Sequence, residues 1–195
     1  MPGTDELSKD PVARLAQGVT WITPAAEQAV QDAVQRPFRG SEAGEKVLSF
    51  LHGHWLHEPL HVVMTDLPVG AWSVTVIADT VGSLTGTDSL DKVADVSLLI
   101  GLLGAVGAAV TGMADWSEIK RERPRRVGSV HALLNVASTG LFAASCLLRG
   151  KRRSRTLPRS LAAVGYLVAS VSAHLGGNMI YEYGVGVRGQ ENGVR

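Results

Sequence analysis

From residue 60 to residue 181 four long apolar runs alternate with short polar links, while the stretch before residue 58 is polar and mixed in charge. The runs cover 60–82, 93–116, 127–148 and 161–181. Each is close to the roughly 20 residues that cross a 30 Å hydrocarbon core at 1.5 Å per residue. The last two hold no Asp, Glu, Lys or Arg between their ends, whereas the first carries Asp66 and Asp79 and the second Asp95 and Asp115. An aspartate at mid-span costs about 2.5–3.5 kcal/mol, which sends these acids to the bundle interior or the helix ends. Four spans with short links make sequential helices antiparallel neighbours. The pattern therefore predicts an all-α integral membrane protein, a four-helix up-down bundle over residues 58–183. Residues 1–57 form an N-terminal arm and residues 184–195 a tail.

Within the arm, Pro24-Ala25-Ala26-Glu27 reads as a helix start, and Ala29, Val30, Ala33 and Val34 follow at helical spacing. Such an amphipathic segment suits the membrane surface or the rim of the bundle. A flexible polar arm is the alternative.

Composition removes several chemistries. The net charge of +1 gives no basic surface for nucleic acid. The one cysteine, Cys146, permits no intramolecular disulfide, no four-thiolate zinc site and no iron–sulfur cluster held by this chain alone. Met1-Pro2-Gly3-Thr4-Asp5-Glu6 lacks the basic and apolar regions of a cleavable signal, so the first span is expected to direct insertion. The termini and the link 117–126 share one membrane side, here side A. The first and third links lie on side B. The third holds Arg149, Lys151, Arg152, Arg153, Arg155 and Arg159 and is expected to rest on anionic headgroups. Because the link 117–126 is basic too, the positive-inside rule leaves orientation open.

Helical spacing gives each span a polar or small stripe. These run His61, Thr65, Pro68, Trp72, Thr75, Asp79, then Ser97, Gly101, Gly104, Ala108, Thr111, Asp115. The third is His131, Asn135, Ser138, Phe142, Ser145, and the fourth Ser170, His174, Gly177, Tyr181 with Asn178 beside it. Small and hydroxyl residues let membrane helices approach and bond, so these stripes are expected to face inward. All six histidines (His52, His54, His57, His61, His131 and His174) fall toward side A. Histidine there can ligate haem iron, bond a quinone or move a proton, or simply hydrogen-bond across a helix seam. His52, His54 and His57 also offer a surface metal site, set against a plain solvated linker. Trp55, Trp116, Tyr181 and Tyr183 suit a headgroup-level aromatic belt.

The runs "HWLHEPLHVVMTDLPVGAWSVTVIADTVG", "GMADWSEI", "RRVGSVHALLNVAS" and "HLGGNMIYEYGVGV" occur in that order. Over about residues 20–188 the chain resembles the bacterial membrane family called domain of unknown function 2231. Its motifs fall on Pro59, Leu60, His61, Asp66, Pro68, Gly70 and Asp79, then on Asp115, Trp116, His131, Gly176, Gly177 and the 184–187 run. The resemblance implies a small four-helix protein of a bacterial inner membrane. Some relatives carry a Rieske iron–sulfur domain after the last helix, so a separate Rieske-type protein is an expected partner. Two departures stand out: Glu58 and Asn178 occupy places where the family often has His.

Two readings follow. In the first the chain is a redox subunit, not an enzyme by itself, binding b-type haem or a quinone near side A. His61, His131 and His174 would hold the cofactor, Asp115 would orient one imidazole, and Asn135 and Asn178 would bond propionates or carbonyl oxygens. In the second it is a non-catalytic structural or interaction subunit with no cofactor. Transport ranks last, since side B offers no continuous polar path.

Overall fold

In the computed structural model, residues 8–150 and 154–186 are described. Lys151, Arg152 and Arg153 of the basic link, and the tail from residue 187, lie outside them. The described residues form seven helices and no strand: α1 (Pro11–Gln17), α2 (Pro24–Gln35), α3 (Glu42–Leu51), α4 (Leu60–Thr85), α5 (Ser89–Ser117), α6 (Glu122–Arg149) and α7 (Thr156–Tyr181).

The arm's helices start where local chemistry directs. Asp10, Thr23 and Ser41 each accept a bond from the backbone N–H three residues on, and Pro11 and Pro24 preset the first turn of α1 and α2. Gly53 turns the chain between α3 and α4 at φ +75°, where a Cβ would collide with the Glu58 carbonyl. All four later helices have the length and apolar composition to cross a membrane. α6 begins at Glu122, a turn and a half before the apolar run, so His131 lies well inside it.

Two compact units divide the chain. The larger share of the four long helices falls in the unit made of His61–Ala109 and Leu134–Val171, the span unit. At its centre Trp72 of α4 stacks on Phe142 of α6, with ring centroids 4.1 Å apart. Gly101 of α5 lies so close to Trp72 that any Cβ would clash with the indole, and a Cβ at Gly104 would come 2.9 Å from Pro68. Ser138 and Ser145 of α6 donate to the carbonyls of Gly165 and Pro158 at 2.8 and 2.7 Å.

The polarity of this unit is inverted relative to a water-soluble core. Thr75, Asp79, Ser138, Ser145 and Arg149 are buried, while Ile77, Leu99, Leu103, Val106, Val164 and Leu167 are exposed. So wide an aliphatic exterior is what a hydrocarbon solvent allows and water does not.

The stripe expected for α7 is corrected. Its buried positions are Pro158, Ala162, Gly165, Ser172 and Leu175, whereas Ser170 and His174 are exposed. Ser170 bonds back to the Tyr166 carbonyl of its own helix, so its polarity marks no seam.

The other unit, Met1–Leu60 with Val110–Leu133 and Ser172–Arg195, joins the arm to the ends of α5, α6 and α7. Here α2 buries its polar row. Gln31 and Gln35 donate to the carbonyls of Trp116, Ile119 and Ser117 at 2.7–3.0 Å, capping the carbonyl end of α5. Glu27, also buried, accepts from Arg125, Arg126 and Ser129 of α6. Burial works against its charge, but the two guanidiniums and the hydroxyl outweigh it and hold the carboxyl below its usual range.

Candidate functional site

Among the described residues five of the six histidines, all but His57, are partnered one by one. In the arm unit His52, which caps α3, sits 2.7 Å from Asp115 and 3.2 Å from Glu118. These hydrogen-bonded carboxylates raise its pKa from 6.5 to about 9 against the opposing effect of burial. Glu118 is lowered in return, chiefly by His52. The imidazole that Asp115 orients is therefore His52, not one of the three expected ligands. His54 is 2.9 Å from the Ser49 hydroxyl.

His131 Nδ1 lies 2.7 Å from the Ser172 carbonyl. The oxygen can only accept, so Nδ1 carries the proton and, in the neutral ring, Nε2 bears the lone pair. The Cε1 edge of the ring packs on Gly176, where a Cβ would come within 3.1 Å. His174 is half exposed and bonds Asp10 through Nε2 at 2.8 Å, joining α7 to the cap of α1. Asn178 keeps one buried donor, Nδ2, without a partner among the described residues. Asn135 is a half-buried residue of α6 that carries interactions of its own.

In the span unit His61 uses the same device as His131: its Nδ1 is 2.9 Å from the Ala108 carbonyl of α5. An Nδ1–H held by a carbonyl is also how metal-ligating histidines are oriented, so the ring chemistry of His61 and His131 fits a haem ligand. The surroundings fit less well. One ring edge of His131 is filled by Gly176, and the Nε2 of His174 is occupied by Asp10. Among the described residues no group of three His, Cys, Asp or Glu is arranged to hold a metal ion.

The larger electrostatic feature was not anticipated. Arg149 of α6 lies buried between Asp79 of α4, with which it forms a two-point pair, and Asp95 of α5 at 2.9 Å. Arg155 pairs with Asp95 and Asp91, and Arg159 with Asp91 at 2.7 Å. Three arginines thus face three aspartates, and helices α4 to α7 or their flanks all contribute. This corrects the expectation that Arg149, Arg155 and Arg159 rest on headgroups: each guanidinium lies within ion-pair distance of an aspartate of α4 or α5, and the Arg149–Asp79 pair is buried, which strengthens it. The sequence did contain the signal, since all six residues share side B.

One acid stands apart. Asp79, Asp91, Asp95 and Asp115 all have ion-pair partners within the chain. Asp66 is exposed and has none among the described residues. It sits on α4 beside exposed Val62, Val63, Leu67 and Val69.

With this geometry in hand, the comparison with protein families is decisive. The family described as "Predicted membrane protein (DUF2231)" matches residues 57–189, more than half of the chain. The chain belongs to the DUF2231 family. It is accordingly a multi-pass membrane protein, whose surroundings are a lipid bilayer. No curated protein and no solved structure matches it.

Proposed function

We propose that this DUF2231 member is a non-catalytic interaction subunit of a membrane complex, and that the exposed face of α4 around Asp66 is where a neighbouring membrane helix docks. The observation that supports this is the contrast among the acids of the spans. The chain pairs the other aspartates of α4 and α5 internally and leaves Asp66 on an aliphatic exterior. A lone carboxylate facing hydrocarbon is costly, and a donor on a partner helix removes that cost. Gly70, one turn further on, is exposed with nothing within 4 Å of where a Cβ would be, leaving room for a close helix approach. The histidines are then ties between elements rather than ligands. The test is migration of the gently solubilised protein on a native gel: the wild type should run in a larger complex, and Asp66→Leu should release the monomer. A monomeric wild type overturns the reading.

A redox subunit with b-type haem or a quinone is the second reading. It draws on the Nδ1–carbonyl bonds of His61 and His131 and on the unpartnered amide of Asn178, a donor suited to a quinone oxygen or a propionate. A bacterial inner membrane and a Rieske-type partner belong to this reading. Its test is the visible spectrum of folded protein purified with haem supplied. A Soret band that moves on reduction and disappears in His131→Leu supports haem, and a blank spectrum leaves only the quinone.

A further inference from the structure

The arm turns its apolar side outward. In α2 the positions Ala25, Ala26, Ala29, Val30 and Ala33 are exposed, while Glu27 and Gln31 are buried. A helix on a water-facing protein surface does the opposite. The arrangement has a cause within this unit: the carbonyl end of α5 and the guanidiniums of Arg125 and Arg126 need polar partners, and the polar row of α2 supplies them. The apolar arc is left without a covering.

Larger apolar groups continue it. Trp21, just before α2, is 74% exposed, and Leu15 of α1 is 75% exposed. Phe50 and Trp55 stack with centroids 5.5 Å apart and are both 56% exposed. Val47 lies exposed on α3 one turn before Phe50. Five large apolar side chains thus stand outside any core of this unit, in the same arm whose Glu27 and Gln31 are turned inward.

Chain length says what meets them. Trp55 precedes Leu60, the first residue of α4, by five positions, which is at most about 17 Å of extended chain. The backbone here turns rather than extends, with Leu56 N–H bonded to the Gly53 carbonyl at 2.9 Å. At the other end of the unit Tyr181, the last residue of α7, is 90% exposed. A 26-residue helix is about 39 Å long, so its end passes beyond a 30 Å hydrocarbon core into the headgroup layer. Tryptophan and tyrosine at this depth bury the ring body in lipid and keep the N–H or O–H in the wet zone. We infer that the arm is a membrane-surface element, with the outward arc of α2 and the rings of Trp21, Phe50 and Trp55 seated at the headgroup–acyl boundary of the phospholipid. The surface is apolar more than basic, so its seating is insensitive to salt.

The test uses the full chain in liposomes. Trp72 and Trp116 are buried and serve as a background common to all variants. Lipids brominated near the headgroup should quench a component of the emission that vanishes in the Trp21→Phe/Trp55→Phe variant, and aqueous iodide should fail to reach it. Iodide quenching without bromolipid quenching would put the arm in water and overturn the inference. Protection from both would place a second protein there and overturn it equally. A nitroxide on Ala29→Cys, in a Cys146→Ser background, gives an independent reading. Dissolved oxygen should relax it more strongly than a water-soluble nickel chelate, and the reverse order refutes the seating. Neither readout depends on Asp66, so this inference and the interaction-subunit reading fail separately.

Discussion

The two units of the chain solve opposite problems. The span unit has an aliphatic exterior and must dispose of its polar groups inside. It does so with hydroxyls aimed at the carbonyls of neighbouring helices and with three arginines set against three aspartates. The arm unit also buries polar groups, but uses them to satisfy helix ends: Gln31 and Gln35 at the carbonyl end of α5, Glu27 at the start of α6. In the first unit buried charge joins spans, and in the second it fastens an arm. The contrast teaches that burial of charge in this protein follows the backbone groups and ions already fixed nearby, and does not by itself mark a catalytic site. Asp66, which neither solution absorbs, becomes the informative residue.

The largest effect should come from breaking the arginine–aspartate network. Arg149→Leu leaves Asp79 buried without its main partner, and such a loss costs about 3–5 kcal/mol. Unfolding in denaturing detergent should show a drop of that order. The double variant Arg149→Leu/Asp79→Leu should recover much of it, because two apolar groups replace the pair. Equal loss in single and double variants would mean that the pair does not act as a unit.

Glu27→Ala strands Arg125 and Arg126 in the arm unit and should cost about 2–3 kcal/mol. Proteolysis should then release α2 while the spans stay protected. This is the sharper half of the comparison, since an arm that stays protected would deny that Glu27 fastens it. Gly101→Val should come next, at about 1–3 kcal/mol, because the new side chain meets the Trp72 ring and forces α4 and α5 apart.

The smallest effect is pH dependence at His52. Its folded pKa of about 9 lies above the ordinary 6.5, so its contribution is complete below pH 6.5 and is lost as pH rises through 9. The melting temperature should fall by a few degrees between those limits, because water screens the half-exposed Glu118 partner and leaves only part of the shift as stability. His52→Gln should flatten that slope. A wild-type curve that is already flat would remove the His52–Asp115 tie from the account.

Much of the fold was legible because a membrane span is a long, one-dimensional signal: twenty apolar residues admit few other readings. The inward stripes of α4, α5 and α6 followed from helical spacing. The α7 stripe did not, because polarity was read as direction, and Ser170 satisfies itself within its own helix. The histidines were legible in position but not in partnership. Their common side suggested convergence, yet Asp10, Asp115, Ala108 and Ser172 each hold a different ring. The arginines of the third link were misread because their acids lie on α4 and α5, far away in sequence, and composition alone gives a basic link no inward partner. The outward arc of α2 was visible in Ala29, Val30 and Ala33, but which way it faced depended on the carbonyls of α5.

The central claim is that Asp66 faces outward from the chain and is covered by a partner in the native membrane. An apolar carbodiimide, which reacts with carboxyl groups accessible from the lipid, tests it directly by mass spectrometry of the peptide that carries Asp66. Labelling at Asp66 is expected in the isolated chain, and protection in intact native membranes. Equal labelling in both states would contradict the claim, as would an isolated chain in which Asp66 never reacts.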